Sequence, residues 1–380
     1  MSTLKVTNLQ HPSAASANVT LDSSGNAAFS GGITGVTSVN GGQLGARNAI
    51  INGAMNVNQR QLGTQTVNST IYTTDRWQAN QTAAGKYSVG NSTTAPSGFT
   101  NSFLATSLSA YSVSSTDIFF FQQNIEGYNS SHFGWGTSDA KSVVLSFYVR
   151  SSLTGTFGGC LANSAHNRSY PFSYTISSAD TWERVSVAIA GDTTGTWLTT
   201  NGIGIQVIFG LGGGSTRSGT AGSWQASTLY TATGAVSLVG TSGATFYITG
   251  VQLEAGQLTP FEHENYTTTL QKCLRYFWRK TRVSNQNSYL SLGQGIGTTE
   301  VLATLSYPVP MRAAPTYSSS GSTHVAAHAS TDFTQSGNSV SNTGVDSTGL
   351  NITGSTGAAD RCYRVFIFGN DNYIQFDSEL

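Results

Sequence analysis

Apolar residues recur at every second position along much of this 380-residue chain. In "KSVVLSFYVR", Val143, Leu145, Phe147 and Val149 fall on one side and Val144, Ser146, Tyr148 and Arg150 on the other, the period of a strand with one face in a core. "WERVSVAIA" repeats the pattern with Val185, Val187 and Ile189, and "IGIQVIFG" with Ile203, Ile205, Val207 and Phe209. In "ATFYITGVQLE", Phe246 and Ile248 are out of phase with Val251 and Leu253, and Gly250 between them predicts a β-bulge. Further strands are expected in "EVLATLSYPVPMRAAP", through Val301, Ala303, Leu305 and Tyr307, and in "CYRVFIFG" and "NDNYIQFDSEL". Short strands between Gly, Ser and Asn turns, with no repeat of roughly 20–50 residues, predict antiparallel sandwiches rather than a β-helix or propeller.

One stretch changes period. Leu270, Cys273, Leu274, Phe277 and Trp278 are spaced as one face of a helix, with Asn265 or Thr267 ahead of them as a cap. The expected fold is therefore all-β: an attachment segment over 1–46, an antiparallel jelly-roll sandwich over 47–265, a short connecting amphipathic helix over 266–282, and a second, smaller β-sandwich over 283–380. Leu270, Leu274, Phe277 and Trp278 are candidate interface residues that seat the second sandwich, since a large buried apolar side chain contributes about 1.5–3 kcal/mol. In the first segment, Val19 and Leu21 face Ala27 and Phe29 across a turn at 22–26. That hairpin is too poor in apolar residues to stand alone in water, and copies from neighbouring chains are its expected partners.

Composition adds a second constraint. Only 9% of residues are charged and 38% are hydrophobic, so Ser, Thr, Asn, Gln and Gly must carry solubility. Aromatics make up 11% and the formal net charge is zero, which argues for a folded chain rather than a disordered one. Eighteen basic against eighteen acidic residues give no field to steer nucleic acid, and no apolar run reaches the ~20 residues of a membrane span. Neither a nucleic-acid partner nor membrane insertion is expected. The opening "MSTLKVTNLQHPSAAS" lacks the apolar core of a signal peptide, so Sec export is not expected. Cys160, Cys273 and Cys362 are odd in number and lack metal spacing; all three are expected to be small buried hydrophobes. A hydroxyl-rich outer surface on a chain with cytosolic thiols fits a virion protein, assembled inside a cell and used outside it.

Candidate chemistry is sparse. Glu254, at a strand end, reads as a structural carboxylate or as a calcium ligand, although no dense run of Asp supplies the other oxygens. Glu262, His263 and Glu264 superficially offer a carboxylate pair of the kind glycoside hydrolysis requires, but they precede the helix, where negative charge is favoured. His324 and His328 lack a third ligand. There is no nucleophile-elbow or phosphate-loop motif, and "GLGGGSTRSG" reads as a flexible loop. No catalytic residue, metal site or cofactor is assigned. Lys272, Arg275, Arg279, Lys280 and Arg282 form a basic run that either meets acidic groups on a host envelope or pairs with carboxylates of an adjacent domain or subunit. Aromatics on polar loops suit sugars, whose C–H faces dock on rings while amides and hydroxyls bond their hydroxyls. Trp224, Tyr230 and Arg217 in "STRSGTAGSWQASTLYTATG", and Asn167, Arg168 and Tyr170 in "HNRSYPF", are the candidate glycan contacts.

Several stretches, in order, resemble a family of phage tail-fibre and related virion appendage proteins of marine and cyanobacterial phages, which carry a carbohydrate-binding-module-like jelly roll. "NLQHPSAASANVTLDSSGNAAFSG" resembles their leader, and "RNAIINGAMNVNQRQ" with "YTTDRWQ" the opening of the jelly roll. "FYITGVQLEAGQLTPFEHENYTTTLQKCLRYF" resembles its closing strand and the helix that leaves it, and "YPVPMRAAPTY" with "YIQFDSEL" the ends of the final domain. The resemblance implies a homotrimeric structural appendage, with 1–46 as its attachment and trimerisation segment facing other tail proteins. The expected function is adhesion to a host-surface glycan, without enzymatic activity. A capsid decoration or tail connector protein and a depolymerase tailspike are the rival readings.

Overall fold

The computed structural model describes residues 7–10, 12–13, 16, 19–21, 23, 27–29, 38–39, 42–43 and 46, and then 47–282, 288–321, 325–328, 333–355, 357–369 and 371–380. The chain divides into two compact units between Ala46 and Arg47. In the first, Asn8–Leu9, Val19–Leu21 and Ala27–Phe29 form an antiparallel sheet, with Val19 opposite Phe29 and Leu21 opposite Ala27. The added strand Asn8–Leu9 is too short for any period to reveal. Leu9 and Leu21 stay 48% and 37% exposed. Apart from Ser23, the turn at 22–26 lies outside the described residues.

In the second unit, two six-stranded antiparallel sheets make the jelly roll. One runs in the order Glu183–Ile189, Val143–Ser151, Thr245–Ala255, Ser102–Ser107, Tyr87–Ser92, Gln65–Thr66. The other runs Ser169–Ile176, Gly155–Ala162, Ile203–Gly213, Ile118–Glu126, Trp77–Gln81, Ile71–Thr74. The core lies between them: Val143, Leu145, Phe147 and Val149 are fully buried, and Phe147 packs edge-on to Phe209 at 5.1 Å. The expected bulge is present. The register shifts where Tyr148 pairs with Thr249, and Gly250 has φ 61. A β-carbon there would lie 2.7 Å from the Phe99 ring, so both conformation and space require glycine.

The smaller sandwich pairs a six-stranded sheet (Val325–His328, Cys362–Ile367, Ser288–Gly295, Glu300–Ser306, Ser347–Ser355, Thr334–Ser341) with a three-stranded one (Phe277–Thr281, Tyr373–Asp377, Thr316–Ser319). Val301, Ala303, Leu305, Ile374 and Phe376 share its core. Two expectations need correcting. The helix spans only Tyr266–Leu274, and Phe277–Thr281 is a strand paired with Tyr373–Asp377. "FWRKT" satisfies both periods: as a strand it sends Phe277 to the jelly-roll side and Trp278 into the smaller core, 5.6 Å from Phe376. A partner strand distant in sequence decides between them. Cys362 is exposed, unlike Cys160 and Cys273, because Tyr363 and Val365 take the inward positions of its strand. A helical turn at Gly127–Ser130, continued by Ser131–Phe133, was also unforeseen, since "GYNSSHF" has too few apolar residues to show a period. His324 lies outside the described residues, as does the side chain of His328. Among the described residues, no helix is long and apolar enough to cross a membrane.

The junction of the two sandwiches is buried and charged. Arg76, 2% exposed, lies 3.6 Å over the Tyr276 ring, donates to the Asn124 carbonyl at 2.5 Å and pairs with Glu379. Arg60 stacks 3.6 Å over Phe277 and reaches Asp377 at 3.1 Å, Glu379 at 3.6 Å and Asp75 at 3.7 Å. Glu126 accepts two bonds from Arg275, at 2.9 and 2.6 Å, and one from the Tyr276 hydroxyl at 2.5 Å. Burial pushes the Asp75 carboxyl up, outweighing the pull of Arg60 and Gln59. Burial acts in the same sense on Glu126, but there the bonds from Arg275 and Tyr276 prevail and hold it below the usual range. The chain end is captured too: the Leu380 carbonyl accepts from the Tyr72 hydroxyl at 2.9 Å and from Asn124 Nδ2 at 2.8 Å. Leu270 joins Ile51, Val57, Cys273 and Tyr276 in a small apolar cluster beside this network, and Leu274 is half-buried. Thus "VNQRQ", "YTTDRWQ", "CLRYF" and "FDSEL", remote in sequence, form one structural unit.

Candidate functional site

Strand alternation builds a polar surface on the outer face of the second sheet. In Ile118–Glu126, Phe119, Phe121 and Ile125 enter the core, so Phe120, Gln122 and Asn124 turn outward. The register sets Gln78 beside Gln122 and Asn80 beside Phe120 on one flank. On the other flank Gln206 lies beside Asn124, and Ile208 beside Gln122. The apolar part of this face (Phe120, Cys160, Ala162, Ile208) is covered by Leu229 and Tyr230 of the segment after Gly214. The polar part is a floor of amides.

That floor is buried yet incompletely bonded. Gln122, Asn124 and Gln206 are 6%, 5% and 8% exposed. Gln122 Nε2 donates to Gln78 Oε1 at 2.9 Å, Gln78 Nε2 to the Tyr72 hydroxyl at 2.9 Å, and Gln206 Nε2 to the Asn163 carbonyl at 2.7 Å. Each of these amides, like Asn124, donates within the protein. Two acceptors, Gln122 Oε1 and Asn124 Oδ1, have no partner. A buried acceptor without a partner costs about 1–3 kcal/mol, so each of the two needs a donor, which a buried water can supply as well as a ligand.

Tyr230 supplies the neighbouring wall. Its ring lies 5.0 Å from Phe120, which is two residues, or about 7 Å, along the strand from Gln122. His166 packs 4.4 Å from the same ring and bonds the Leu229 carbonyl at 2.8 Å. Arg217 is alongside: Ser218 pairs with Thr231 in parallel, and Tyr230 N donates to the Arg217 carbonyl at 2.8 Å. Burial pushes the Tyr230 hydroxyl up and the His166 imidazole down, leaving both neutral at physiological pH.

The other four predicted contacts gather elsewhere. Trp224 sits edge-on to Trp135 and Trp197, each at 5.3 Å; those two are 4.8 Å apart, and Tyr170 is 5.2 Å from Trp224. The indole N–H groups of Trp135, Trp197 and Trp224 donate to the carbonyls of Lys141, Thr194 and Ala190. Arg168 grips Asp192 with two bonds of 2.7 Å. Burial pushes the Asp192 carboxyl up, but Arg168 and Thr194 hold it below the usual range. Asn167 is exposed and bonded to Asn163. These side chains cross-link the loops, although an open depression of about 220 Å³ remains beside Trp135, Trp197 and Thr199. The floor amides escaped sequence reading. Their signal was the polar "QQN" inside an otherwise apolar strand, which marks a second buried face.

The acidic suspects have local duties. Glu254, 1% exposed, accepts from Gln252 Nε2 at 2.9 Å and from Thr259 N and Oγ1 at 2.9 and 2.7 Å. Glu262 accepts from the backbone N–H of Arg47 at 2.8 Å and of Asn48 at 3.2 Å, closing the strand edge rather than capping the helix, while Glu264 pairs with Lys272. In the basic run, Arg275 holds Glu126 and Arg279 lies 4.0 Å over Tyr373. Among the described residues, no three His, Cys, Asp or Glu side chains gather closely enough to hold a metal ion.

No family model matches the chain, and no curated protein matches it. Solved structures similar to it include the enzymatically active domain of tailspike protein 4 of bacteriophage CBA120, at 13% identity and TM-score 0.32, covering 55% of this chain and 21% of that one. A protein of Bacteroides thetaiotaomicron described as a "putative sugar binding protein" is similar at the same identity and TM-score, with 55% and 100% covered. A family 11 carbohydrate-binding module of Clostridium thermocellum is similar at 12% identity and TM-score 0.27, with 53% and 99% covered.

Proposed function

We propose that this chain is a non-enzymatic virion appendage, a homotrimeric tail fibre, whose jelly roll adheres to a host-surface glycan at the amide floor. The observation that supports the binding half is the partnerless acceptor pair, Gln122 Oε1 and Asn124 Oδ1, near the Tyr230 ring; both oxygens are shielded from solvent, so a ligand reaches them only with a local shift of the side chains that cover them. A sugar offers hydroxyl donors along its rim and a C–H face for the ring, so one ligand answers both. The half-exposed Leu9 and Leu21 of the first unit support assembly with copies of the chain, and that segment meets other tail proteins.

A glycan array with the purified full chain tests the binding half. The expected result is saturable binding to a subset of glycans, weakened about tenfold by Gln122→Leu, the equivalent of one hydrogen bond. No binding leaves a decoration or connector role. Release of oligosaccharide from host polysaccharide would instead establish a depolymerase. Light scattering tests assembly, with a trimer expected and a well-folded monomer overturning it.

A further inference from the structure

In "DTTGTWLTT", residues 192–200, an indole stands among five threonines. The Trp197 ring is fixed in place: Nε1 donates to the Thr194 carbonyl at 3.0 Å, and the ring lies edge-on to Trp135 at 4.8 Å and to Trp224 at 5.3 Å. The turn Gly127–Ser130 backs the same loop, with Gly127 N donating to the Gly202 carbonyl at 2.9 Å and Tyr128 N to the Thr200 carbonyl at 3.0 Å. Here lies the depression of about 220 Å³, lined by Ser130, Ser131, Trp135, Trp197, Leu198 and Thr199. Unlike the floor, it opens to solvent: Ser131 and Thr199 are exposed, and Trp197 and Leu198 are half-buried. The Ser131 hydroxyl donates to the Tyr128 carbonyl at a long 3.4 Å, which leaves its lone pairs to accept. Among the described residues, no charged side chain lines the depression. Arg168, which packs on Gly195 of the loop, is held by Asp192. Asn163 ties the loop to the floor, its carbonyl accepting from Gln206 Nε2 at 2.7 Å and its Nδ2 donating to the Thr196 carbonyl at 3.1 Å.

We propose that this depression is a second sugar subsite, taking one uncharged residue of the glycan with its C–H face on Trp197 and its hydroxyls on Ser131 and Thr199. The proposal rests on the adhesion reading and adds a further contact point and the charge class of the residue that fills it. An indole rimmed by hydroxyls matches a ligand that is apolar on one face and hydroxylated at its edge. A wholly apolar ligand would strip water from Ser131 and Thr199 without replacing it, and a charged one would find no opposite charge in the lining. The volume is below the roughly 300–1,000 Å³ of pockets that enclose a whole drug-sized ligand, so one ring enters and the rest of the chain stays outside. Because the indole is already held by its neighbours, binding costs little side-chain entropy.

The test is an array of neutral oligosaccharides of glucose, galactose, mannose and rhamnose beside polygalacturonate oligomers, probed with the full chain. The expected result is saturable binding to neutral samples, retained in about 1 M salt, where charge attraction is screened beyond about 3 Å. Trp197→Ala is expected to weaken that binding about tenfold or more, and Trp197→Phe, which keeps a ring, much less. Thr199→Glu, which sets bulk and charge on the exposed rim, is expected to weaken it to a similar degree. Binding that Gln122→Leu weakens but Trp197→Ala and Thr199→Glu leave intact would overturn the subsite while keeping adhesion at the floor. Binding confined to polygalacturonate, or lost in salt, would overturn the uncharged assignment. No binding by the unmodified chain would overturn both readings. If Trp197→Ala melts early, Thr199→Glu decides alone, since Thr199 is exposed.

Discussion

The junction and the amide floor meet at Asn124, and both bury polar groups, yet they treat them oppositely. At the junction every formal charge has an opposite within reach: Arg76 with Glu379, Arg60 with Asp75 and Asp377, Arg275 with Glu126. On the floor, donors are spent inside the protein while two acceptors stay open. A matched buried network holds two domains in one arrangement, because opening it strands charges in a poorly polarisable interior. An unmatched one stores an unmet demand that a ligand can fill. The difference is one of charge: at the junction Arg60 Nη1 and Arg76 Nε also lack a hydrogen-bond partner, yet each guanidinium keeps an opposite charge beside it, whereas the floor acceptors are neutral.

Removing one partner at the junction should break that contrast most severely. Arg76→Ala leaves buried Glu379 with only the longer 3.6 Å contact to Arg60, and denaturant unfolding is expected to show a loss of about 3 kcal/mol. Replacing both partners, as Arg76→Met with Glu379→Leu, should recover a large part of it. Next in size is the aromatic wall. Tyr230→Ala is expected to weaken glycan binding by roughly 1–2 kcal/mol, or about tenfold, through the lost ring contact, as read by titration calorimetry. A larger loss of stability than of affinity would move Tyr230 to the architectural side.

Acid should separate the two regions as well. Glu126 and Asp192 have folded pKa values held below their ordinary ones, so the unfolded chain binds protons more readily there and stability rises with pH. Their contribution is complete above about pH 4–5 and is lost as pH falls through the folded values. Asp75, pushed up by burial, acts with the opposite sign. Melting temperature is therefore expected to fall on acidification below about pH 4, with a shallower fall in Asp192→Asn, whereas the uncharged floor adds no slope. The smallest effect is expected from Lys272→Gln, whose exposed pair with Glu264 should contribute under about 0.5 kcal/mol.

Much of the sheet architecture was legible in advance. Val143, Leu145, Phe147 and Val149 alternate because one face of their strand must leave water, and Gly250 betrayed the bulge by breaking the phase. Phe277 and Trp278 were misread because an aromatic pair fits a helix face and a two-sided strand equally well locally. Trp224 was read as a glycan contact because Trp135 and Trp197, the rings it packs on, are brought in by other loops. Arg217 and Tyr230 could be picked out as a base and an aromatic on a polar loop, but the amides of the strand under Tyr230 could not, because a glutamine in a strand looks the same whether or not its oxygen is bonded.

Sequence alone determined what short-range periodicity controls: an all-β chain, its strands, the faces they bury and the bulge at Gly250. Tertiary structure decided which strands became neighbours, and with that where Leu380 is held, which charges are matched and that Gln122 Oε1 and Asn124 Oδ1 are left without a partner inside the protein. The physical reason is range. Alternation is imposed residue by residue by the pleat of the backbone, whereas a hydrogen bond or ion pair between Arg76 and Glu379 exists only once the sheets between them have closed.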